Sequence, residues 1–150
     1  MDLVPAAAPQ MHADPEAPVV PELELITAME RAVMAGDRAA AARYLDEQVR
    51  YRVGARPAAV GIDAVFAYIA AQSEHAQWTG HTLHGSWSDG RVVVVEVDSH
   101  FRRVADGRPI VLPCTDVYRL AGGRIVDWRV YADLTVFADD RPADPGSPAG

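Results

Sequence analysis

Covalent and metal frameworks have little to build on in this sequence. Its 150 residues include one cysteine, Cys114, so no intrachain disulfide can form. The CxxC and HExxH spacings that gather metal ligands are absent, and no metal or cofactor is expected. No run approaches the ~18 apolar residues of a membrane helix. The first residues lack the basic-then-apolar order of a secretory signal, so a cytoplasmic protein is the expectation. Positive charge is also scarce. Fourteen Lys and Arg stand against 21 Asp and Glu, a net charge of −7, and the basic residues are scattered. That balance argues against nucleic acid and anionic membranes as partners.

What is present is apolar and periodic. Hydrophobic residues make up 49% of the chain, enough for one domain with a real core. Residues 1–20 and 139–150 are rich in Ala and Pro without periodicity and are expected to be disordered tails around a folded unit at 21–138. Leu25, Ile26, Met29 and Val33 recur at three- and four-residue steps, predicting an amphipathic helix that stops at Gly36. Asp37 is placed to cap a short second helix through "RAAAARYL". "QVRYRV" alternates as a short strand. "GIDAVFAYIAAQ" predicts a third helix with Ile62, Val65, Phe66 and Ile69 on one face.

From Gly80 the period changes to two. "HTLHGSW", "RVVVVEVDSHFRRV", "IVLPCTDVYRL" and "RIVDWRVYAD" read as four strands. Short turns between them imply antiparallel hairpins, the last through Ala121, Gly122 and Gly123. Helices first and strands after is an α+β order. Such a sheet can curl around the helices and enclose a pocket.

This order, together with the run "DVYRLAGGRIVDWRVYAD", resembles the NTF2-like cone fold over roughly residues 22–138. Within that superfamily it looks like the SnoaL-like polyketide cyclase and limonene-epoxide hydrolase branches. The ketosteroid isomerases share the fold. The resemblance implies three N-terminal helices on a curved, mainly antiparallel sheet, a hydrophobic small-molecule substrate, and a homodimer. In SnoaL-like cyclases the Asp of "DVYRL", here Asp116, serves as acid/base. It also matches the isomerase acid that helps bind an oxyanion, while Arg52 falls near the isomerase base. In the epoxide-hydrolase pattern, Tyr51 matches the water-holding Tyr and Asp98 the Asp of the long strand. Val53, Glu96 and Val130 stand where that pattern has Asn, Arg and a second Asp.

Strand alternation bears on the same residues independently. Glu96, Asp98 and His100 share one face of their strand with Val92 and Val94. Asp116 shares a face with Cys114 and Tyr118, and Trp128 with Val126, Val130 and Ala132. Two assignments of the long strand compete. Glu96, Asp98 and His100 extend an apolar wall into a pocket, or they form a solvated face while Val93, Val95, Val97 and Phe101 are buried. The first gives a dry cavity whose carboxylates gain proton affinity. Asp116 is then the expected acid/base, Asp98 its partner, Tyr51 an orienting hydroxyl, and Glu96, His100, Tyr118, Trp128 and Val130 the substrate-binding set. His81 and His84, odd and even in one strand, make a poor metal pair, and Glu74 and His75 are expected at the surface. Three activities fit: a cofactor-free cyclisation, isomerisation or dehydration of a polyketide- or terpenoid-like substrate; an epoxide-opening reaction on Asp98 and Tyr51; or ligand binding without catalysis. Thr115, Val117, Arg129 and Tyr131 alternate outward and are the expected dimer face.

Overall fold

The helical periodicity of the first third and the alternation of the last half each fold as they read. A computed structural model of the protein describes residues 8–138. In chain order the elements are β1 (Gln10–Ala13), α1 (Leu23–Met34), α2 (Arg38–Ala41), β2 (Leu45–Val53), β3 (Ala59–Val60), α3 (Ile62–Ser73), β4 (Ala76–Ser88), β5 (Val92–Arg103), β6 (Pro109–Ala121), β7 (Arg124–Ala132) and α4 (Thr135–Ala138). The Asp37 side chain caps α2 by accepting from the Ala40 amide.

Seven strands form one sheet in the order β1-β4-β5-β6-β7-β2-β3. The β4–β7 hairpins are antiparallel, whereas β2 joins β7 and β1 joins β4 in parallel. Gly122 and Gly123 both take positive φ in the turn between β6 and β7, the conformation that lets a two-residue connection follow the twist of its strands. Helices α1 and α3 cover the concave face. Their buried Ile26, Met29, Val33, Ile62 and Val65 meet inward residues such as Val93, Val95, Leu112, Tyr118, Ile125 and Trp128 to form the core.

The N-terminal segment departs from expectation. Residues 10–13 are a strand rather than part of a disordered tail. Beyond them, Asp14 N–H donates to the Leu83 carbonyl at 3.0 Å and Ser86 N–H to the Pro18 carbonyl at 2.8 Å. The Ser86 hydroxyl accepts from the Val20 amide at 2.9 Å. Gly80 makes the approach possible: a Cβ there would lie 2.0 Å from the Gln10 carbonyl oxygen. The segment is held by backbone ladder bonds along a sheet edge, which need no apolar periodicity. The expected tail at 139–150 lies outside the described residues.

Candidate active site

The sheet and helices enclose a cavity of about 960 Å³. Its base is polar and its walls are mostly apolar. Asp116 projects inward from β6, between Cys114 and Tyr118 on the same face, and is 8% exposed. Its Oδ2 accepts two hydrogen bonds, from Trp128 Nε1 at 3.1 Å and from the Tyr118 hydroxyl at 3.1 Å. Its Oδ1 is buried without a partner. Burial raises the Asp116 pKa to about 6, against the opposing pull of the hydrogen bonds from Trp128 and Tyr118.

The second carboxyl is one that the sequence reading passed over. Glu30, on α1, reaches Tyr118 Oη with its Oε1 at 3.0 Å, while its Oε2 is buried without a hydrogen-bond partner. Desolvation, reinforced by the charge of Asp116, raises its pKa to about 8, and the Tyr118 hydrogen bond opposes the rise. One phenolic proton cannot be donated to both acids. At neutral pH the consistent arrangement has Tyr118 donating to ionised Asp116 and protonated Glu30 donating to the phenolic oxygen. Tyr118 therefore couples a base to an acid.

His81 of β4 lies beside this pair, with its Nδ1 3.7 Å from Glu30 Oε2. That separation falls within ion-pair range, but the titration directions oppose a charged pair. Burial first, and the His100 charge second, lower the His81 pKa, while Glu30 is raised. We take the contact as one between neutral groups at pH 7. Burial likewise pushes the Cys114 thiol up to about 12, so it is no thiolate nucleophile.

Tyr51, on β2, completes the base. It pairs in register with Trp128 and packs on its ring at a centroid distance of 4.4 Å. Burial raises its pKa well above the ordinary value, which keeps the phenol protonated. Trp128 and Val130 line the cavity, and Glu74 and His75 lie exposed at its rim.

Three expected site residues are not in the cavity. Val93, Val95, Val97 and Phe101 are the buried set of β5, so Glu96, Asp98 and His100 point away on the outer face. Asp98 there accepts from His84 Nε2 at 3.0 Å, and His84 Nδ1 meets Asp14 at 2.6 Å. Hydrogen bonds to Asp14 and then Asp98 raise the His84 pKa to about 9. The cluster ties the N-terminal segment to the sheet. His100 Nε2 lies 3.1 Å from the Thr82 hydroxyl. The reason is alternation itself: four buried valine and phenylalanine positions on β5 outweigh two flanking valines, and the strand turns its charged face to solvent. With Asp98 and Tyr51 on opposite faces of the sheet, one water cannot be held between them, and the epoxide-opening arrangement is not formed. Tyr118 also differs from expectation. It is fully buried behind the cavity wall, where it touches both acids rather than a substrate.

Glu30 had a signal in the sequence. Ile26, Met29 and Val33 mark the apolar stripe of α1, and Glu30 falls four residues after Ile26 on that stripe. A carboxyl on the core side of an amphipathic helix is the helical counterpart of Asp116 in its strand.

Comparison with known proteins agrees with this architecture. A search of curated proteins finds no match. Among solved structures, a protein with a ketosteroid isomerase-like fold from Catenulispora acidiphila, crystallised with trimethylamine, is 16% identical with a TM-score of 0.67, covering 79% of this chain and 91% of its own. A candidate SnoaL-like polyketide cyclase from Jannaschia sp. CCS1 is 18% identical with a TM-score of 0.67, covering 81% and 93%. A candidate polyketide cyclase from Pseudomonas putida is 21% identical with a TM-score of 0.62, covering 79% and 96%. At these identities the likeness is one of fold. The sequence itself matches the SnoaL-like domain over residues 26–128, a span that takes in Glu30, Tyr51, Asp116, Tyr118 and Trp128. With cone, cavity and inward carboxyl in place, the chain belongs to the SnoaL-like family of the NTF2-like superfamily.

Proposed function

We propose that the protein is an enzyme that moves protons on a hydrophobic small molecule without a cofactor, in a cyclisation, isomerisation or dehydration of a polyketide- or terpenoid-like compound. The observation that carries this is the pair of buried carboxyls joined through one phenol, each with an unpartnered oxygen. Ionised Asp116 is the base that takes a proton from an acidified C–H of the substrate. Protonated Glu30 is the acid: its one carboxyl proton, donated to the Tyr118 oxygen at rest, leaves that hydrogen bond and passes to a developing oxyanion, with Tyr51 as a second donor at the base of the cavity. Trp128 and Tyr118 hold the Asp116 carboxylate in position. The aromatic and aliphatic walls exclude water, which strengthens each of these interactions. Neighbours named for polyketide cyclisation support the substrate class.

Deuterium exchange tests the proposal without the natural substrate. Bicyclic aryl ketones such as 2-tetralone are incubated with protein in D₂O and followed by mass spectrometry. The wild type should accelerate exchange at the acidic carbon, and Asp116→Asn should lose ~10²–10⁴-fold of that rate, the usual contribution of a general base. Equal rates for wild type and variant would sink the assignment.

We also propose that two copies pair through the outer sheet face around Thr115, Val117, Arg129 and Tyr131. Tyr131 is 48% exposed there. A half-exposed tyrosine among partly buried neighbours, on a face that no helix covers among the described residues, fits a surface that takes a partner.

A further inference from the structure

One wall of the cavity is a continuous run of side chains from the buried base to the exposed lip. Asp116 accepts from Trp128. Trp128 packs on Tyr51 at 4.4 Å between centroids, and Tyr51 meets Tyr68 of α3 edge-on at 5.2 Å. The Tyr68 hydroxyl accepts from Arg56 Nη1 at 2.6 Å, and the guanidinium lies 6.0 Å from the Tyr68 ring centroid. Both Arg56 and Tyr68 line the cavity, and Arg56 is exposed.

Arg56 is held there by its backbone. Its N–H donates to the Val53 carbonyl at 3.1 Å, and the preceding Gly54 N–H donates to the Val130 carbonyl at 2.9 Å. A guanidinium carries five N–H donors, and Tyr68 takes one of them. Among the described residues no carboxylate is paired with it. The other arginine of the rim, Arg103, is held by Asp106 at 2.5 Å. The acid of the rim, Glu74, follows the C-terminal end of α3 and forms no ion pair with Arg56 among the described residues. An unmatched cation is thus fixed at the lip of an apolar cavity, in a chain of net charge −7.

We infer that Arg56 is a specificity residue that binds an anionic group at the outer end of the substrate, so the site takes an amphiphilic acid whose carboxylate stays at the lip while its apolar body reaches Asp116. The inference rests on reading the cavity as a substrate site. Arg56 suits the task because a planar fork grips a carboxylate or sulfonate through two parallel hydrogen bonds. Tyr68 fixes the plane of that fork. Arg56 orients the substrate and takes no part in proton transfer.

Two dyes of nearly equal shape separate the alternatives. 8-Anilinonaphthalene-1-sulfonate carries an anion, and N-phenyl-1-naphthylamine is its uncharged parent. Each is titrated against wild type, Arg56→Gln and Arg56→Lys by fluorescence, with thermal melting to check that the variants are folded. The expected result is one mutually exclusive site for both dyes. Arg56→Gln should weaken the sulfonate at least tenfold and leave the parent within twofold, while Arg56→Lys should give an intermediate loss. If both dyes bind and Arg56→Gln leaves the sulfonate affinity unchanged, the role of Arg56 is refuted and the cavity reading stands. If neither dye binds the wild type, the cavity does not accept amphiphilic ligands, and this inference fails together with the function proposed above.

Discussion

Replacing Glu30 by Gln should make the protein more stable in alkali, and the size of the effect follows from where Glu30 sits. Its carboxyl binds a proton more tightly in the folded chain than in the unfolded one, with a pKa raised from 4.5 to about 8. A raised pKa favours folding fully below 4.5, and the advantage fades as pH climbs through about 8. At about 1.4 kcal/mol for each tenfold in proton affinity, the rise from 4.5 to about 8 sets an upper figure of about 5 kcal/mol between the two ends of that window. Gln preserves the shape and can still hydrogen-bond Tyr118, but it has no proton to lose. Urea denaturation of both proteins at intervals from pH 5 to pH 9 measures the difference directly. The variant should match the wild type within about 1 kcal/mol near pH 5 and exceed it by several kcal/mol at pH 9, on the same linkage reasoning. Parallel profiles for the two proteins would show that Glu30 titrates as an ordinary surface acid, and the reasoning about its burial would be wrong.

Other perturbations follow from named contacts. Trp128→Phe removes an N–H donor that favours ionised Asp116. The acid should hold its proton roughly ten- to a hundredfold more tightly, the worth of a hydrogen bond to a charged group, as read by carboxyl NMR titration. Gly80→Ala places a Cβ against the Gln10 carbonyl and should free β1, with faster amide exchange at Met11 and His12 and a stability loss of ~1–3 kcal/mol. Removing residues 1–20 should lower the melting temperature, because it strips the bonds made by Asp14, Pro18 and Val20 along the β4 edge. Light scattering at micromolar concentration should give twice the 16.2 kDa of one chain, and a monomer there would reject the outer-face dimer.

The fold was readable because its signals are local and repeated. Helix α1 announces itself through Ile26, Met29 and Val33, and β5 through an alternation whose buried half is Val93, Val95, Val97 and Phe101. The same alternation misleads at β5 about which half faces the cavity, since Val92 and Val94 make the charged face look apolar at one end. Only the number of apolar positions on each face, and the strands packed beside them, decides it. Asp116 was legible because an acid beside Cys114 and Tyr118 breaks an inward pattern. Glu30 carries the same kind of signal, an acid on the apolar stripe of α1, but a stripe at three- and four-residue steps shows a misplaced acid less plainly than strict alternation does. The N-terminal strand was not legible at all. Backbone pairing at a sheet edge writes little into side chains, and its clearest trace is the bare Cα of Gly80 on the opposite strand. Arg56 lies in a loop after Gly54, and only the fold brings it to Tyr68.

The central claim is that two carboxyls at the base of the cavity hold protons at different pH values, so that one is a base and the other an acid near neutrality. Titration of the side-chain carboxyl carbons in ¹³C-labelled wild-type protein, assigned with Asp116→Asn and Glu30→Gln, measures this directly. Asp116 should titrate near 6 and Glu30 near 8. Asp116→Asn should also move Glu30 downward, because the charge of Asp116 no longer opposes its ionisation, whereas Glu30→Gln should leave Asp116 near 6, since Glu30 is already neutral where Asp116 titrates. Both carboxyls titrating below pH 5, with no effect of one on the other, would contradict the account.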